Sequence, residues 1–115
     1  MVAQACRHQS KSASDLTVAH EYSPQPPRVG SLTITLRVAD ASGQPAAGVR
    51  INLEGNMSHA GMTPVFATAT ETEPGRYSSR MQISMAGDWY FVVHMTLPDG
   101  HKLERQFEIK GVSQP

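Results

Sequence analysis

Between Ser31 and Asp40 the chain reads Ser-Leu-Thr-Ile-Thr-Leu-Arg-Val-Ala-Asp, an unbroken alternation of apolar and polar side chains. Side chains alternate sides along an extended strand, so Leu32, Ile34, Leu36 and Val38 are predicted on one face and the Thr and Arg residues on the other. A helix would smear those four aliphatics around its circumference. A ribbon with one apolar face has to bury it against another layer, and this requirement constrains the fold more than any other feature of the chain.

The rest of the sequence supplies similar ribbons. Leu16, Val18, His20 and Tyr22 share one face of a first strand, which Ser23-Pro24-Gln25-Pro26-Pro27 ends. Beyond the turn Ala41-Ser42-Gly43-Gln44-Pro45, the residues Val49, Ile51 and Leu53 alternate again up to Glu54-Gly55. Pro64–Ala69 forms a further short strand, and Glu73-Pro74-Gly75-Arg76 is a turn with Pro before Gly. Tyr77, Ser79, Met81, Ile83 and Met85 are expected to face one way, followed by a tight turn at Ala86-Gly87-Asp88. The most apolar strand runs from Trp89 to Leu97, with Trp89, Phe91, Val93 and Met95 inward and Trp89 as the central core aromatic. Pro98-Asp99-Gly100 is a hairpin signal, and Leu103, Arg105, Phe107 and Ile109 close the domain with Phe107 and Ile109 in the core.

About seven short strands with turn signals between them and no helical period predict an all-β chain. The expected fold is a single-domain immunoglobulin-like β-sandwich, with a small barrel as the alternative. The expected limits are a tether over 1–14, the sandwich over 15–111 and a tail over 112–115. Glycine (9) and proline (8) fall between the apolar runs, as turns require.

Charge excludes some functions. Ten basic and ten acidic residues balance, which argues against a nucleic-acid groove or a polybasic membrane patch. No apolar run approaches the ~18 residues of a membrane span. The one cysteine, Cys6, rules out an internal disulfide framework. Its context, Ala3-Gln4-Ala5-Cys6, reads in three ways: the end of a lipoprotein signal with Cys6 as lipid anchor, a small-x-small cleavage site, or an incidental thiol.

The segment Asn56-Met57-Ser58-His59-Ala60-Gly61-Met62 places two thioethers and an imidazole in a short polar stretch. Thioether sulfur is a soft donor that suits Cu(I), and neither Met nor neutral His has to lose a proton to bind it. Met57 and His59 project to one side if the stretch is extended, and a turn at Ala60-Gly61 brings Met62 alongside. Met57, His59 and Met62 are therefore the candidate Cu(I) ligands, with His20 and Met85 as candidates for a further position. Cu(II) through His20 and His59 is the weaker alternative. The competing reading makes Met57 and Met62 plugs of the open end of the sandwich, Met85 a plug under Trp89 and His20 a surface histidine. His94, on the face opposite Trp89, is expected at solvent or the rim. A blue-copper site needs a Cys thiolate between His ligands, and Cys6 is in the tether. A structural zinc site is equally unsupported by scattered histidines.

Nothing frames a catalytic nucleophile or a phosphate loop. Glu71 and Glu73 flank a turn and read as a solvated edge. Tyr77, following Pro-Gly, is expected to make a structural hydroxyl bond. The chain is read as a non-enzyme.

Several elements occur together in order: Pro24-x-Pro26 and Gly30 before the long strand ending Val38-Ala39-Asp40, then Asp40-x-x-Gly43-x-Pro45, the 57–62 segment, Pro74-Gly75-x-Tyr77 and Met85-Ala86-Gly87-Asp88-Trp89. Over roughly residues 15–110 this set resembles the YtkA-like and FixH-like domains, small exported β-sandwich modules. The resemblance implies an exported, periplasmic or otherwise extracytoplasmic protein linked to copper handling or to assembly of copper oxidases. Three functional expectations follow. The chain is a copper carrier or buffer that delivers Cu(I) to a protein partner by ligand exchange. Alternatively, it is an immunoglobulin-like interaction module with no metal, or a domain that spaces a lipid anchor from another component.

Overall fold

The structure, a computed structural model, describes residues 16–57 and 63–115. Its elements are β1 (Thr17–Ser23), β2 (Gly30–Ala39), β3 (Arg50–Met57), β4 (Val65–Glu73), β5 (Arg76–Ile83), β6 (Gly87–Thr96) and β7 (Lys102–Val112). All pairings are antiparallel and follow the order β1-β2-β5-β4-β3-β6-β7. The chain is an all-β, immunoglobulin-like sandwich of seven strands.

The strand order is continuous, yet its two ends meet. His20 on β1 stacks on Phe107 of β7 with ring centroids 4.0 Å apart. Arg105 of β7 also donates from a guanidinium nitrogen to the Leu16 carbonyl at 3.3 Å. The ribbon is therefore folded over on itself, and β4 is where it folds. The first part of β4 pairs with β3, from Gly55↔Val65 to Ile51↔Ala69. Its last part pairs with β5 at Thr70↔Ser78 and Glu71↔Tyr77, with a register shift between Glu71 and Glu73. A strand that changes sheets through an irregularity is a known way to turn a sandwich corner. Period two does not reveal such a strand: its first half alternates, but Thr70–Glu73 is wholly polar and exposed and has no apolar face to read.

The core is what the alternation predicts. Leu32, Ile34 and Leu36 are 0% exposed and Val38 2%, facing Ile51, Leu53, Phe91 and Val93, all at 0%. Burial of each such side chain contributes about 1.5–3 kcal/mol. Gly55 lies opposite Phe91, and a Cβ there would come within 2.9 Å of the Phe91 ring, so the ring fills the space that glycine leaves. Ile109 is buried, whereas Phe107 is only partly so because it lies in the β1–β7 seam. β7 continues to Val112, which is 3% exposed. Ser113, read from the sequence as tail, exchanges backbone hydrogen bonds with the 27–29 segment, Val29 N–H to Ser113 O at 2.8 Å and Ser113 N–H to Pro27 O at 3.1 Å.

Two side chains fix the crossover from β2 to β3. The Tyr77 hydroxyl donates to the Ala46 carbonyl at 2.7 Å and accepts from the Val49 N–H at 3.0 Å, the structural bond expected from its Pro-Gly context. Burial pushes its pKa above the usual phenol value, so it remains a neutral donor. The Glu71 carboxylate accepts from the Gly48 N–H at 3.1 Å and the Gly75 N–H at 3.3 Å. Glu71 is thus a brace between two turns as well as an exposed edge residue. No buried side-chain nitrogen or oxygen among the described residues lacks a partner.

Candidate metal centre

The Met/His cluster begins at the end of β3. Met57 is the last residue of that strand, lies opposite Trp89 and is 7% exposed. Its methyl group reaches across to Gly87 at the start of β6, where a Cβ would stand only 2.8 Å from Met57 Cε. Gly87 has φ +129°, a conformation that side-chain-bearing residues avoid. Glycine here does two things: it turns the chain into β6 and clears room for the thioether.

Met85 lies two residues earlier and is 43% exposed. It falls outside β5, which ends at Ile83. Its backbone carbonyl accepts from Trp89 Nε1 at 2.9 Å, and Trp89 itself is 1% exposed. A fully buried indole thus holds the connection between β5 and β6 in place and leaves the Met85 side chain outside. Met85 is not a plug under Trp89. Through Gly87, the structure brings Met57 and Met85 to the same end of the sandwich, one buried and one open to solvent. His59 and Met62 lie outside the described residues.

His20 is placed elsewhere. It sits opposite Leu36 in the middle of its strand pairing and stacks on Phe107, which pairs with Phe91. Strands β6 and β7 stand between this seam and β3, a lateral separation of about 10 Å at the usual strand spacing. The structure does not bring His20 to Met57 or Met85. Desolvation lowers the His20 pKa from its ordinary 6.5. The folded state therefore favours the neutral ring. The unfolded chain protonates first as pH falls through 6.5, so stability is full above that pH and declines toward the lower folded value. Urea midpoints measured from pH 7.5 downward are expected to show this decline, and His20→Phe, which keeps the stack, is expected to remove it. An unchanged decline in that variant would assign the linkage to other groups.

His94 was expected at solvent or the rim, and its actual neighbours were not legible in the sequence. Its Nε2 lies 2.9 Å from Glu54 Oε1 on β3 and its Nδ1 3.2 Å from Glu104 Oε2 on β7. Both ring nitrogens are engaged by carboxylates on opposite sides, so the group holds a histidine and leaves no common point for an ion. The hydrogen bond that Glu54 accepts from His94, then the one it accepts from Asn56, holds its carboxyl below the usual carboxylate range. Among the described residues, no three His, Cys, Asp or Glu side chains are arranged to hold a metal ion. The donors that do gather at one end are thioethers, which bind soft ions and leave hard ones in water.

An antiparallel sandwich with a methionine-bearing end loop defines a small β-domain of the immunoglobulin type. The family model described as YtkA-like matches residues 10–94, which takes in β1 to most of β6 and every candidate ligand. The chain belongs to the YtkA-like family, as the ordered motifs implied. Among solved structures it is similar to MtrC from Shewanella baltica OS185, at 13% identity and a TM-score of 0.52, over 84% of this chain and 22% of that one. The chain thus spans about a fifth of MtrC, and the likeness bears on fold alone. Murine CRIg matches over 87% of this chain and 98% of its own, at 13% identity and a TM-score of 0.49. No curated protein sequence matches the chain. No helix among the described residues is long and apolar enough to cross a membrane.

Proposed function

We propose that this YtkA-like domain holds Cu(I) at the end of the sandwich where the 57–62 segment leaves β3, and serves as an extracytoplasmic carrier or buffer. The supporting observation is the shared position of Met57 and Met85 about Gly87, with Met85 43% exposed where ligand exchange requires access. Met57, Met85, Met62 and His59 form the proposed ligand set, and His20 in its seam is left out of it. Copper is the cargo, passed to a protein partner by exchange of one thioether at a time. Methionine ligands suit an oxidising compartment because they form no disulfides. Cys6 is the proposed lipid anchor. No catalytic step is assigned to the chain.

The test is an anaerobic Cu(I) titration against a chromophoric competitor on a Cys6→Ser background. One equivalent is expected to bind. Met57→Leu/Met62→Leu and Met85→Leu are each expected to weaken it by about 10–100-fold or more, since even indirect supports of a metal site are worth that much. Leucine keeps the volume and removes the sulfur, so the fold should tolerate it. Unchanged competition by these variants, or no competition by the parent, would sink the copper reading.

A metal-free interaction module is the second reading, and one observation favours it. Phe66, at the start of β4, is 67% exposed and together with Met85 accounts for the exposed large hydrophobics of the described residues. Adaptable apolar groups beside an end loop are common protein contacts. Under this reading the Met→Leu variants keep partner binding and the parent ignores copper.

A further inference from the structure

The outer face of the β1-β2-β5 layer carries a feature that the copper reading does not use. Arg37 of β2 and Arg76 of β5 are direct cross-strand partners. Both point away from the core, since their neighbours Leu36, Val38 and Tyr77 are buried. Arg37 is exposed and Arg76 half-buried. Like charges directly opposite each other on antiparallel strands are destabilising. Among the described residues no carboxylate comes within 4.0 Å of either guanidinium to offset this. Arg76 uses Nη1 on Thr72 Oγ1 at 3.1 Å, which steadies the side chain and leaves its other donors free. The two arginines line a depression of about 150 Å³ between the Asp40–Pro45 turn and the Pro74-Gly75 turn. In the next row Thr35, Ser78 and Thr70 lie side by side on the same outer face.

We propose that Arg37 and Arg76 form a binding site for a phosphate group at the end of the sandwich opposite the methionines. Two arginines on neighbouring strands can offer guanidinium donors to one multi-oxygen anion, and a bound anion converts their mutual repulsion into shared attraction. Glu73 lines the same depression and opposes the anion, which gives the site a directional test.

Thermal unfolding is followed in inorganic phosphate and in chloride of equal ionic strength. Phosphate is expected to raise Tm with the logarithm of its concentration once above its Kd, by about 4–8 °C at about five times that Kd. Arg37→Gln and Arg76→Gln remove the rise, and Glu73→Gln lowers the Kd. In chloride Arg37→Gln melts no lower than the parent, because the opposed charges are gone. Vesicles of phosphatidylglycerol, set against phosphatidylcholine, separate two sources of the group. Retention that depends on both arginines assigns a lipid headgroup, and an arginine-dependent rise in Tm with phosphate but without retention assigns a free phosphate. If chloride reproduces the rise, or the arginine variants keep it, and no arginine-dependent retention is seen, the site does not exist.

Discussion

Trp89→Ala is expected to remove about 3–5 kcal/mol of folding stability, the usual cost of truncating a buried large aromatic. The residue is 1% exposed, pairs with Met57 on one side and Ile109 on the other, and stacks toward Phe91 at 6.1 Å. Its loss opens a cavity at the end of the core that bears the candidate site. Small domains have about 5–15 kcal/mol in total, so this one change would cost about a fifth of the stability or more. It would lower Tm by roughly 15–30 °C. The indole also holds the Met85 carbonyl, so Trp89→Phe separates two roles. Phe restores most of the buried area and loses the hydrogen bond, about 1 kcal/mol, plus about 1 kcal/mol for the smaller cavity it leaves. Urea unfolding followed by circular dichroism measures both variants without the tryptophan signal. A Trp89→Ala variant within about 1 kcal/mol of the parent would mean that the core closes without the indole.

The second large effect is expected at Tyr77. Its hydroxyl is the common partner of the Ala46 carbonyl and the Val49 N–H. Tyr77→Phe changes the ring volume hardly at all but orphans both backbone groups, one of them buried. Leaving a buried polar group unsatisfied costs about 1–3 kcal/mol, so about 2–3 kcal/mol is expected for the pair. The cost should concentrate in the crossover: amide exchange at Val49 should speed up more than at the β2 core. A cost below about 0.5 kcal/mol would mean that water takes the place of the hydroxyl.

These two residues also mark what the sequence made legible. Trp89 and Tyr77 could be assigned because their roles depend on local pattern, a period-two run in one case and a Pro-Gly-x-Tyr context in the other. The β2 and β6 faces were readable for the same reason. Features that depend on register between distant strands were not. His94 meets Glu54 across forty residues of chain, and Arg37 meets Arg76 only because β2 and β5 pair as they do. Period two fixes which face a side chain occupies but not which residue lies opposite. The candidate site shows the same division. Its thioethers were visible as a local cluster, and Met85 was singled out with them. That Met57 would be buried and Met85 exposed depends on Gly87 and on the indole of a third residue. The doubling of β4 between two sheets was not legible, since the alternation stops at Ala69 and the all-polar Thr70–Glu73 half has no apolar face to mark it as strand.

That doubling gives the molecule the build of a bound book. β4 is the spine, where backbone hydrogen bonds run from one cover to the other. The fore-edge lies between β1 and β7, closed along its length by a stacked ring pair and a guanidinium contact to a carbonyl, and at its far end by the two backbone hydrogen bonds between Ser113 and the 27–29 segment. The polypeptide enters at the fore-edge through β1. A tug on the chain ahead of Leu16 is therefore borne by the β1–β2 ladder and the side-chain seam to β7, and the spine at β4 is not loaded first.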